Sequence, residues 1–167
     1  MDFFSVVEQR ASVRQFEKVE VPIEHLKRIV DAGRRAPSGK NVQPREFVVV
    51  TDPGVLKALG AAQECIGQAS AAIAIVSDGT STFWLEDAAA SAAQMLLAIT
   101  ALGYASVWIQ GRLLRVEDEA RRILGIPAEK RFAIILPIGR PATPVAQKEK
   151  RPLAEIAHLN RYGKRLT

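Results

Sequence analysis

Three stretches of the chain carry side chains able to do chemistry. The first is R-A-S-V-R, where Arg10 and Arg14 flank Ser12. Two guanidinium groups beside a hydroxyl can make forked, charge-assisted hydrogen bonds to phosphate oxygens. Arginines that end a helix also complement its dipole, so this segment alone leaves both readings open. The second is A-P-S-G-K-N-V-Q-P, Ala36 to Pro44. Ser38, Asn41 and Gln43 offer groups that both donate and accept, Gly39 lets backbone approach a ligand closely, and Pro37 and Pro44 stiffen the ends. Such a set suits a ligand edge with alternating donors and acceptors; the plain alternative is a helix stop followed by an Asx-type turn. The third is S-V-W-I-Q-G, Ser106 to Gly111. A strand ending in glycine can present main-chain N–H groups to a pocket, whereas Trp108 reads as core or interface.

The rest of the chain must position these groups. Its 167 residues, 48% hydrophobic and 25% charged, are ordinary for one globular domain with a sizeable core. The single cysteine, Cys65, excludes an internal disulfide and a cysteine metal cluster, and reads as a small buried hydrophobe. His25 and His158 have no metal-ligand company. The net charge of +5 raises nucleic acid as a partner. Yet the cations are scattered and not interleaved with aromatics, so no nucleic acid is expected; a few of them suffice for one small phosphate. The apolar run Ala88–Leu102 is too short, and too polar where it begins, to span a bilayer. No charged-then-apolar leader precedes the first helix, and a cytoplasmic location with no membrane partner is expected.

Periodicity predicts helices over Asp2–Gln9, from Pro22 to about Arg35, from Asp52-Pro53-Gly54 onward, over Ala88–Leu102 and over Val116–Leu124. Pro37 stops the second, and Gly103 and Gly125 are placed as C-terminal caps. Strands are predicted at Phe47–Thr51, Ala71–Ser77, Tyr104–Ile109 and Phe132–Ile138. The second is nearly all apolar and therefore buried on both faces. Alternation of strand and helix ordinarily predicts a doubly wound parallel sheet, but no G-x-G-x-x-G or G-x-x-x-x-G-K follows the first strand.

The order of the blocks R-A-S-V-R-Q-F, A-G-R-R-A-P-S-G-K-N-V-Q-P-R-E-F-V-V-V, A-A-Q-M-L-L-A-I-T-A-L-G-Y-A-S-V-W-I-Q-G and L-P-I-G-R-P resembles the nitroreductase family of FMN-dependent oxidoreductases over nearly the whole chain. The resemblance implies one α+β domain over residues 1–167, with a mainly antiparallel central sheet surrounded by helices. It further implies an intertwined homodimer, FMN in two pockets at the dimer interface, and a tail from about residue 140 docked on the partner subunit. It assigns the FMN phosphate and ribityl chain to Arg10, Ser12 and Arg14. Pro37, Ser38, Gly39, Asn41 and Gln43 would contact flavin from the partner subunit, and Ile109, Gln110 and Gly111 would lie near the reactive N5. Lys148, Lys150 and Arg151 compete for the phosphate, with Lys150 and Arg151 preferred. In some longer relatives an Asn and a Lys before the second strand reach the flavin; here A-A-Q-E-C-I-G-Q-A-S has no Lys, and Gln63 or Gln68 could take their place.

The activity so implied is hydride transfer from NADH or NADPH to flavin N5 and on to a nitroaromatic, a quinone or a similar small-molecule acceptor. No catalytic side chain is required, because the cofactor carries the chemistry. The alternatives are a specialised FMN enzyme of the same fold, of dehalogenase or azoline oxidase type, and a flavin- or nucleic-acid-binding module without turnover.

Overall fold

The computed structural model describes residues 2–166. Helix α1 (Phe3–Gln9) is capped by Asp2, whose carboxylate accepts from the N–H groups of Phe4 and Ser5 at 3.0 and 3.2 Å. A two-residue strand β1 (Phe16–Glu17) precedes helix α2 (Ile23–Arg34), which starts after Pro22 and ends before Pro37. A 3-10 turn at Gly39–Asn41 leads into strand β2 (Arg45–Val50). Helix α3 (Pro53–Leu59), capped by Asp52, and helix α4 (Glu64–Gln68) return the chain to strand β3 (Ala71–Asp78). The long helix α5 (Trp84–Ala101), strand β4 (Ala105–Ser106), helix α6 (Glu117–Leu124), strand β5 (Lys130–Pro141) and helix α7 (Leu153–Ile156) complete the order.

The five strands form one sheet in the order β1-β5-β3-β2, with β4 also on β5, and every pairing between them is antiparallel. This corrects the parallel sheet that strand–helix alternation predicts and agrees with the family resemblance. The near-continuous apolar run of β3 misleads because helices cover both faces of an antiparallel sheet here. Ala72, Ala74 and Val76 face a core built with α3, α4 and α6, while Ala71, Ile73 and Ile75 face one built with α2 and α5. The strand predicted at Tyr104–Ile109 is also corrected: only Ala105 and Ser106 form a ladder, and Ile109 rejoins β5 through a single bridge to Ile135. Trp108 between them packs on the α2–α5 core.

Helices α2 and α5 cross at Gly33, where a Cβ would lie 2.6 Å from Met95 Sδ; the absent side chain permits the close approach. Among the described residues no helix is long and apolar enough to cross a membrane.

Candidate functional site

The R-A-S-V-R segment leaves α1 and is laid onto the sheet. Val13 N donates to Ser106 O at 3.0 Å, and Ser12 forms a parallel bridge to Ser106. Val13 is buried while Ser12 and Arg14 are exposed, so the alternation of an extended segment turns the hydroxyl and guanidinium outward. The basic tail comes back to the same place. Gln147 Nε2 donates to the carbonyls of Arg10 and Val7 at 2.9 and 3.2 Å, tying residues near 147 to the C-terminal end of α1.

Between these two segments lies a cleft of about 180 Å³ lined by Arg10, Ser12, Arg14, Lys148 and Lys150, among others. Among the described residues none of its four cations takes part in an ion pair. Four unpaired cations and a hydroxyl around one small cleft fit a phosphate, which accepts such donors on three oxygens. Of the competing tail residues, Lys148 and Lys150 line this cleft. Arg151 is outside it and lies 3.5 Å from Glu155 as an exposed ion pair.

A second cleft, about 360 Å³, shares one lining residue, Arg14, with the first. Its other walls include Gln15, Gln63, Gln68, Glu64 and Arg112. Gln63 and Gln68, at the two ends of α4, are thereby placed beside the arginine that also lines the phosphate-type cleft, and their amides offer the donors and acceptors a heterocycle edge needs. Burial pushes the Cys65 thiol up, although the Arg14 charge opposes the shift, so Cys65 has the character of a packed thiol and not of a thiolate.

At the end of the third stretch, Ile109 exchanges backbone hydrogen bonds with Ile135 at 3.2 and 3.0 Å. Gln110 O accepts from Leu114 N at 2.9 Å, and Gln110 Oε1 accepts from Trp108 Nε1 at 3.2 Å. Among the described residues the N–H groups of Gln110 and Gly111 have no acceptor within the chain. They are thus available as main-chain donors.

The loop Ala36–Pro44 is rigidly built. Lys40, Asn41 and Gln43 adopt φ of 51°, 56° and 55°, a region that residues with a side chain rarely occupy. Two buried charges fasten the start of the loop that carries them. Arg45, at the start of β2, donates from Nη1 to Pro37 O and Asp87 O, both at 3.1 Å, and to Ser91 Oγ at 2.9 Å. Its Nη2 donates to Ala36 O at 2.9 Å. Burial pushes the Arg45 guanidinium down from its ordinary pKa while Asp87 works the other way. Asp87 Oδ1 in turn accepts from Gly39 N at 2.9 Å, and Ser38 Oγ accepts from Gln43 N at 3.1 Å. Gly39 has a packing reason of its own, since a Cβ there would lie 2.3 Å from Phe83 Cδ2. Asn41 and Gln43 remain exposed.

The loop and the clefts are not brought together within one chain. Gly39 is fastened to Asp87 near the start of α5, whereas the R-A-S-V-R segment meets Ser106, just beyond the other end of that helix. Ala11 and Val13 line a small cavity there with Thr100. Thirteen helical steps separate Asp87 from Thr100, about 20 Å along the axis. Arg45, Asp87 and Arg112 escape sequence reasoning. For Arg45 and Asp87 the only local signal is a charge at a place that burial patterning would fill with an apolar residue, and for the exposed Arg112 there is none.

A helix-covered antiparallel sheet, with a pair of clefts sharing Arg14 at its edge and a stiff polar loop at its far end, defines an α+β ligand-binding domain. The chain belongs to the nitroreductase family, whose model matches residues 7–78 and 59–140. A candidate NADH dehydrogenase/NAD(P)H nitroreductase from Archaeoglobus fulgidus is 32% identical over 142 residues, covering 79% of this chain and 81% of the relative. The solved structure of an FMN-dependent nitroreductase from Clostridium difficile superposes with a TM-score of 0.85 at 28% identity, covering 95% of this chain and 99% of that one. An iodotyrosine deiodinase from Thermotoga neapolitana is 25% identical, over 92% of this chain and 94% of the relative.

Proposed function

We propose that the chain is an FMN-dependent oxidoreductase that passes reducing equivalents from NADH or NADPH to a small acceptor of the nitroaromatic or quinone class. The observation that supports this reading is that two clefts share Arg14 as a lining residue: a cationic one suited to a phosphate and a glutamine-lined one suited to a ring edge. FMN, when bound, supplies a hydride acceptor at its N5.

The chain's own residues then divide the work. Arg10, Ser12, Arg14, Lys148 and Lys150 hold the phosphate and the start of the ribityl chain. Gln63 and Gln68 meet the polar edge of the ring. The free N–H groups of Gln110 and Gly111, next to Arg112, would supply main-chain donors to the bound flavin, where a fixed donor stabilises charge more than water does. The loop with Pro37, Ser38, Gly39, Asn41 and Gln43 is fastened away from its own clefts and, in this reading, serves the clefts of a second copy of the chain. That separation supports a homodimer with two sites, each completed across the subunit boundary. Exposed apolar residues of α1 and the tail, Phe3, Phe4, Leu153 and Ile156, accord with a partner covering them. The tail from about residue 140 is anchored on its own chain at Gln147 and presents its later part to the partner.

Dehalogenation is the second reading, favoured by the length of the match to the deiodinase relative. An acceptor comparison tests both. The FMN-loaded protein is given NADH or NADPH with a quinone, a nitroaromatic or an iodotyrosine, and consumption of donor and acceptor is followed. Turnover with the quinone and nitroaromatic is expected. Turnover with iodotyrosine alone would move the assignment to dehalogenation, and no oxidation of either nucleotide by FMN-loaded protein would refute the NAD(P)H-dependent reading.

A further inference from the structure

The second cleft contains one more cation than binding a phosphate requires. Arg112 follows Gly111 directly and lines the cleft with Gln63, Gln68 and Glu64. Its backbone is fixed, because Arg112 opens the short 3-10 turn Leu113–Arg115, Arg115 N donates to Arg112 O at 3.1 Å, and Leu113 is fully buried. Its guanidinium, by contrast, has no hydrogen-bond or ion-pair partner among the described residues. Glu64, the cleft's only carboxylate among the lining residues, is exposed and accepts from Gln68 Nε2 at 2.8 Å. An arginine that lines a cleft from a fixed backbone, without a counter-ion among the described residues, leaves its positive charge available to whatever binds there.

We propose that Arg112 sets the reduction potential of the flavin in this cleft by favouring its reduced form, an inference that rests on the FMN reading above. The two clefts give the ligand a direction: the four cations near Arg10 take the phosphate, Arg14 lines both clefts, and Arg112 lies at the ring end. A hydride brings two electrons and one proton, so its acceptor gains a net negative charge unless a second proton follows, and the nucleotide leaves as NAD⁺ or NADP⁺. A positive charge at the ring end strengthens binding of that charged state over the neutral oxidised one. Arg14 adds to the same field, and Glu64 opposes it from the facing helix α4.

For a solvent-exposed cation a few ångströms from the added charge, the preference for reduced over oxidised FMN is about tenfold. For a two-electron couple that is about 30 mV. The test is equilibrium reduction of the FMN-loaded protein against a dye of known potential, with oxidised-FMN affinity measured alongside. Arg112→Gln should lower the midpoint potential by about 30 mV while oxidised FMN binds within about threefold of wild type. Arg112→Lys should keep most of the potential, and Glu64→Gln should raise it. An unchanged potential in Arg112→Gln with FMN bound refutes the proposal and spares the flavin reading. Equal weakening of oxidised and reduced FMN also refutes it, leaving Arg112 a plain binding residue. Wild-type protein that binds no FMN refutes both.

Discussion

Replacing Arg45 by Met removes the fastening of the loop 36–44 while roughly preserving side-chain volume. Arg45 is 9% exposed and satisfies the carbonyls of Ala36, Pro37 and Asp87 and the hydroxyl of Ser91 at 2.9 to 3.1 Å. Leaving two or three buried acceptors unmatched costs about 1 kcal/mol or more each. Asp87, 4% exposed and with its Oδ2 lacking any partner, would also lose its compensating cation. Together these give a loss of about 3 kcal/mol or more, at about 1 kcal/mol or more for each stranded acceptor. In a chain of this size that lowers the melting temperature by about 10 °C. Urea and thermal unfolding at fixed protein concentration measure it, because association shifts apparent stability. Adding Asp87→Asn to Arg45→Met should recover part of the loss, since it removes the stranded carboxylate. An Arg45→Met protein within about 1 kcal/mol of wild type would refute the claim that this buried cation fastens the loop.

Other consequences follow from the same geometry. Lys150→Ala should weaken FMN retention about tenfold, whereas Arg151→Ala, which alters only an exposed pair with Glu155, should leave it unchanged; equal effects in a flavin titration would remove the distinction. Mixed dimers of Arg10→Ala and Gln43→Ala chains should regain activity that neither parent dimer has, because one of their two sites escapes both changes; no recovery would refute completion across the boundary. Gly33→Ala should lose about 1–2 kcal/mol in urea unfolding, as crowding against Met95 outweighs the helical gain. For Glu117, burial works against the carboxylate, but hydrogen bonds from Arg131 and Phe132 N and the charges of Arg131 and Arg121 outweigh it and lower the pKa below 4.5. That stabilisation is present above the unfolded-state value and is lost as pH falls through the lower folded one. The stability gap between wild type and Glu117→Gln should therefore close in acid and stay open near neutrality.

What the sequence makes legible is what local chemistry decides. Pro22 and Pro37 bracket α2, and Gly125, at φ 64°, ends α6 as expected of a left-handed cap. The apolar run of β3 announces burial on both faces, but not the strand direction, since helical layers on either side of an antiparallel sheet produce the same run. The two-residue strands β1 and β4 and the short helix α4 are too brief for any periodicity to declare them. The three chemical stretches were each visible, yet their mutual placement was not. That the Ala36–Pro44 loop is fastened near one end of α5, and the arginines lie beyond the other, depends on how α5 crosses the sheet. The sequence favours Lys150 and Arg151 over Lys148, whereas Lys148 and Lys150 line the cleft, because three neighbouring cations look alike until Gln147 pins the segment that carries them. Gly39 reads as an opening for a ligand, whereas Phe83 occupies the space where its Cβ would be.

The central claim is that the two clefts sharing Arg14 hold FMN and that NADH or NADPH reduces it there. The visible spectrum of the purified protein, taken after adding excess FMN and removing what stays unbound, tests it most directly when the nucleotide is then added without oxygen. The account predicts retained flavin bands that bleach on addition of NADH or NADPH. A protein that rejects added FMN, or one whose retained bands neither nucleotide bleaches, would contradict it.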